Sequence, residues 1–181
     1  MELDRKLFEM INSYPVPDFV TDLAVYLHGY RHVEVTFFLF CLFLGAVLIA
    51  SPKKGIRASL AAFVAAMLSF FGAQHLNSLF KRPFPYLDET LSCQLRVEAL
   101  TSFSAFPLTS VVTVCAVSVA LIYYFPKYSM LVVLGSVVYT LMPIHLGVAF
   151  PTDALGSMAL GYALSYVLMN FMGKKAYFKR F

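Results

Sequence analysis

The chain has 181 residues, is 60% apolar, carries a formal net charge of +4 and has a mean hydropathy of +0.74. Soluble domains are closer to half apolar, so this composition excludes an ordinary water-soluble domain and points to the bilayer. A nucleic-acid binder is excluded as well, because no basic stripe accompanies stacking aromatics in a polar segment.

The N-terminal segment, residues 1–30, differs from the rest. Leu3, Leu7, Phe8, Met10 and Ile11 recur at helical spacing, Glu2, Asp4, Arg5, Lys6 and Glu9 fill the other positions, and Pro15 and Pro17 end the pattern. This predicts a short amphipathic helix lying in the membrane interface. No apolar core follows the charges, so a cleavable signal is not expected. Residues 18–30 form a weaker helical pattern carrying Asp18 and Asp22; an interfacial, a re-entrant and a sixth, polar span all fit it.

Five apolar runs follow, at 35–50, 56–80, 106–125, 130–150 and 154–172, each near the roughly 20 residues that cross a bilayer. The first is short, and His32 and Glu34 at the interface extend it. The expected architecture is an all-α polytopic transmembrane bundle of five clear spans, with a sixth left open. It forms one domain over 1–181: N-terminal helices at 1–30, the bundle at 35–172 and a basic tail at 173–181. Lys53, Lys54, Arg57, Lys127, Lys174, Lys175, Lys179 and Arg180 fall on one side, which the positive-inside rule assigns to the cytoplasm together with the C-terminus. Lys81, Arg82 and Arg96 lie on the other side, offset by Asp88, Glu89 and Glu98. The net charge is therefore a topology signal.

Cys41 and Cys115 sit in apolar runs as small core residues, and Cys93 is alone in the outer loop. Neither a disulfide nor a cysteine metal site is implied. His28, His32, His75 and His145 have no specific haem spacing, so no cofactor and no metal are expected.

Three outer-side segments gather the residues able to do chemistry: 75–83, 106–110 and 142–153. His75 and Arg82 are seven apart, two helical turns, which predicts a shared helix face. Phosphate recognition wants cationic forks and free N–H groups at helix starts, and Arg82 with the amides after Pro107 can supply both. Each residue also has a plain structural reading. Arg82 can be an interfacial anchor and Asp153 a helix cap. His75 and His145 can be hydrogen-bonded core histidines, and Ser110 can back-bond within its helix.

The same segments resemble the three signatures of the type-2 phosphatidic acid phosphatase family. Where the family has Lys-x6-Arg-Pro, this chain has His75-x6-Arg82-Pro83. Where it has Pro-Ser-Gly-His, this chain has Pro107-Leu108-Thr109-Ser110, and Ser-Arg-x5-His-x3-Asp is matched by Met142-Pro143-x5-Ala149-x3-Asp153. The opening at residues 3–12 also looks like the start of small bacterial members, which implies a prokaryotic plasma membrane with the site on its extracytoplasmic face. The resemblance implies phosphate binding by His75, Arg82, Thr109 and Ser110. It puts Ser110 at the position of the general acid and Ala149 at that of the nucleophilic histidine, with Asp153 retained but having nothing to orient. Losing a nucleophile costs on the order of 10⁶ in rate, and losing a general acid about 10²–10⁴. His145, one turn before Ala149 and about 6 Å away along a continuous helix, is the candidate substitute.

The expectation is a catalytically degenerate lipid-phosphatase-like protein. It would bind a lipid or polyprenyl phosphate at an extracytoplasmic cleft, or serve as a partner subunit or homo-oligomer in an envelope-lipid system. The alternatives are an active lipid phosphate phosphohydrolase using displaced residues, and a phospholipid carrier or scramblase.

Overall fold

The computed structural model describes residues 2–28, 52–97 and 104–178. The predicted span at 35–50, with Cys41 in it, lies outside the described residues. Among the described residues all regular structure is helical, with six α-helices: α1 (Glu2–Asn12), α2 (Asp18–His28), α3 (Pro52–Leu79), α4 (Thr109–Tyr124), α5 (Ser129–His145) and α6 (Pro151–Phe178). Single 3-10 turns occur at Pro85–Leu87 and Pro126–Tyr128.

Three helical stretches are long and apolar enough to cross a membrane: Lys54–Leu79, Pro126–His145 and Pro151–Met172. Helix α4 is as apolar but has only 16 residues. It starts at Thr109, where the apolar run began at 106. With Leu121 capped by the Phe125 N–H, the chain then turns through Pro126. The protein is an integral membrane protein built as a helix bundle.

Helix α4 is the centre of that bundle. Its Ala116 and Ala120 face a strip of α3 made of Ala61, Ala62, Ala65 and Ala66, and Met169 of α6 closes the cluster. Lipid chains are as apolar as leucine, so spans associate through close packing of small residues rather than through hydrophobic contrast with the solvent. Alanine on both faces lets the two backbones approach. Along α4, Gly161 of α6 lies against the Val112 carbonyl and Cys115 Cβ, where an added Cβ would overlap both. Polar groups within the bundle bond locally. The Ser136 hydroxyl meets Tyr162 at 2.5 Å, and the Thr140 hydroxyl donates to the Ser136 carbonyl at 2.7 Å.

Helix α1 docks on one end of the bundle, and its buried side chains are Asp4, Phe8 and Asn12. This corrects the expected division of that helix. Leu3 and Met10 are 71% and 60% exposed, whereas the inward stripe carries an acid and an amide. The reason is that the end of the bundle offers both an apolar pocket and polar partners. Phe8 packs with Ile144, Phe150 and Ala154. The Asn12 amide donates to the carbonyls of Gln94 (3.0 Å) and His145 (2.9 Å) and accepts from the Gln94 N–H (2.8 Å). Arg96 adds bonds to the carbonyls of Asn12 and His145 at 2.7 and 2.6 Å. The 93–97 loop is thereby stapled to α1 and to the end of α5.

Helix α5 ends at His145, where the sequence pattern ran on to 150. Gly147 then adopts φ 85°, and a Cβ there would sit 2.9 Å from the Gln94 carbonyl. Only glycine suits that turn. The shared helical face expected for His145 and Ala149 therefore does not exist. Likewise α3 ends at Leu79, so Arg82 lies beyond the helix and shares no face with His75.

Candidate functional site

Arg82 is fixed by the chain around it. Its N–H donates to the Ser104 hydroxyl at 3.0 Å and its carbonyl accepts from the Ala105 N–H at 2.9 Å. Asn77, two residues before the end of α3, donates to the carbonyls of Ser104 and Pro107 at 2.8 and 3.1 Å. The segment following Arg82 and the segment entering α4 are thus locked together at one end of the bundle.

The guanidinium is shared between two carboxylates. Nη1 lies 2.7 Å from Oδ1 of Asp153 on α6, and Nη2 donates to Oδ2 of Asp4 on α1 at 3.0 Å. The Phe150 ring centroid is 5.2 Å from the guanidinium carbon, which adds a cation–π contact. Asp4 is satisfied further by the first turn of α6. Its Oδ1 accepts the Thr152 N–H at 3.0 Å and its Oδ2 accepts the Thr152 hydroxyl at 2.7 Å. A free N–H at a helix start and an arginine fork together form an anion seat. Here Asp4 fills it from within the chain.

Asp153 is only 1% exposed, and neither of its oxygens has an aligned hydrogen bond; the Arg82 contact is an ion pair without that alignment. One cation faces two carboxylates, so the local charge is negative. A phosphate approaching this arginine meets repulsion rather than a free fork.

The other expected site residues each have surroundings of their own. Ala149 is fully buried, in the turn between α5 and α6. The His75 side chain is exposed on α3. Thr109 opens α4 and its carbonyl accepts the Thr113 hydroxyl at 2.8 Å. The Ser110 hydroxyl is paired with Tyr139 of α5. His145 turns toward the N-terminal helices. Its Nδ1 lies 3.4 Å from the Ile11 carbonyl and its Nε2 3.3 Å from the Thr21 hydroxyl. A neutral ring donating through Nδ1 accepts from Thr21 through Nε2, so both nitrogens are occupied.

Asp4, Thr152 and Phe150 escaped the sequence reading. Asp4 looked like one charge on a solvated helix face. Thr152 carried a usable signal, since it follows Pro151 at the start of an apolar helix, where free N–H groups are expected.

No family model matches the sequence, and no curated protein does either. Solved structures do. The first transmembrane PAP2-type phosphatidylglycerolphosphate phosphatase from Bacillus subtilis superposes with a TM-score of 0.65 at 16% identity, covering 96% of this chain and 86% of that one. Aquifex aeolicus LpxE superposes with a TM-score of 0.69 at 19% identity, covering 93% of this chain and 95% of that one. The chain has the fold of the PAP2-type membrane phosphatases, the fold that its three altered signatures resemble.

Proposed function

We propose that this protein is a non-hydrolytic member of the PAP2 fold, acting in an envelope membrane as a lipid-associated partner subunit. The observation that carries the reading is the state of Arg82. Its fork is neutralised by Asp4 and Asp153, while the nucleophile position of the third signature is a buried alanine. A phosphatase needs the opposite arrangement, a free cationic seat beside a nucleophile. His145 does not supply one, because both ring nitrogens already face Ile11 and Thr21.

Binding of a lipid or polyprenyl phosphate at this end of the bundle, the extracytoplasmic end by the distribution of basic residues, fits the same fold under one condition. Asp4 has to leave the seat, since its two oxygens take both the Arg82 and the Thr152 donors. Arg82 is 39% exposed, so a headgroup can reach it once Asp4 withdraws.

The test is phosphate release from diacylglycerol phosphate and polyprenyl diphosphate by the purified protein in vesicles. The expected rate is that of protein-free vesicles. Robust turnover that disappears in Arg82→Ala overturns the proposal.

A further inference from the structure

The opposite end of the bundle carries a second feature. A cavity of about 680 Å³ opens there, lined by Lys54, Arg57, Tyr123, Tyr124 and Pro126. Lys54 and Arg57 are one turn apart at the start of α3, so their side chains project from one face of that helix. Both are exposed, and neither forms an ion pair with a carboxylate among the described residues. The cavity is thus walled by two cations on α3 without a carboxylate partner among the described residues, and by two phenol rings at the end of α4.

The length of α3 fixes the depth of this cavity. The apolar stretch Lys54–Leu79 has 26 residues, about 39 Å at ~1.5 Å per residue. That exceeds the roughly 30 Å hydrocarbon layer and approaches the roughly 40–45 Å that includes the headgroups. Lys54 and Arg57 therefore lie at headgroup level, and Tyr123 and Tyr124 occupy the aromatic belt next to it. Cationic pockets between spans at this depth select anionic headgroups.

We propose that this cavity is a binding site for the phosphodiester of an anionic glycerophospholipid, its phosphate between Lys54 and Arg57 and its glycerol against the two tyrosines. The site is separate from Arg82, which lies beyond the other end of α3, and is independent of whether any hydrolysis occurs.

The experiment is a lipid titration of the detergent-purified protein followed by thermal unfolding. Phosphatidylglycerol, phosphatidylcholine and inorganic phosphate are the three probes. Phosphatidylglycerol is expected to raise the unfolding temperature saturably while the other two leave it unchanged. Lys54→Gln with Arg57→Gln is expected to weaken the apparent affinity about thirty-fold, from about one charge's worth of headgroup attraction per residue. Lys6→Gln, on the exposed face of α1, is expected to leave it unchanged. If the double variant does not purify, Arg57→Gln alone is expected to give a weakening of about five-fold. Equal shifts with phosphatidylcholine, an equal shift with inorganic phosphate, or unchanged affinity in the glutamine variants would each overturn the site.

Discussion

At the scale of single residues, Arg82 and Asp153 are bound by burial. Asp153 is 1% exposed and Arg82 is its ionic partner. Removing that arginine strands a carboxylate in the protein interior, which typically costs about 3–5 kcal/mol. Arg82→Ala is therefore expected to lower the unfolding temperature strongly, and adding Asp153→Asn to recover much of the loss. A double-mutant cycle by thermal unfolding checks this; additive effects would mean that the two residues do not couple. Asp88 gives a pH signature outside the membrane. Hydrogen bonds from the Thr90 hydroxyl and N–H, and then the charge of Arg5, hold its carboxyl below the usual carboxylate range. Because the folded value is depressed, the stabilising contribution is present above the unfolded-state value and is lost as pH falls through the folded one. The latch between Arg5 and Asp88 should thus survive mild acid and open only in stronger acid. Thr90→Ala should move the Asp88 titration upward, as read by NMR; an unmoved titration would remove the hydrogen bonds as its cause.

At the scale of elements, two glycines decide how helices meet. Gly161 lets α6 lie against the Val112 carbonyl of α4, and Gly147 makes the turn that separates α5 from α6. Gly147→Ala forces a Cβ into a positive-φ turn already 2.9 Å from the Gln94 carbonyl, and a loss of about 1–3 kcal/mol is expected. Gly161→Leu should be worse, since whole helices must part. Both are measured by thermal unfolding, and neutral behaviour of either would contradict the packing described. The elements themselves were largely legible in the sequence. Apolar runs marked α3, α4, α5 and α6 because each must satisfy its backbone internally in lipid. What stayed hidden was the face of α1 that docks. Leu3 and Met10 suggested one side, but Asp4 and Asn12 go inward to partners that lie far along the chain: Arg82 is 78 residues from Asp4, and Thr152 is 148. A local hydrophobic pattern carries no information about such partners. For the same reason the contiguous-helix assumption misplaced His145 relative to Ala149; a single positive-φ glycine redirects the chain between them.

At the scale of the whole molecule, the chain has the fold of the PAP2-type membrane phosphatases. The departures from the three signatures were visible in the sequence as His75, Ser110 and Ala149. Only the folded chain brings Asp4 across to Arg82, and this changes the reading from a vacant phosphate seat to one filled by the protein's own carboxylate. In the function proposed here, no residue of this chain takes a phosphoryl group from a lipid. Incubating the purified protein with labelled diacylglycerol phosphate, quenching it, and counting label retained on the denatured chain tests that claim most directly. No label above a protein-free control is expected. Stoichiometric label that is lost in Arg82→Ala, or in His145→Ala, would contradict it.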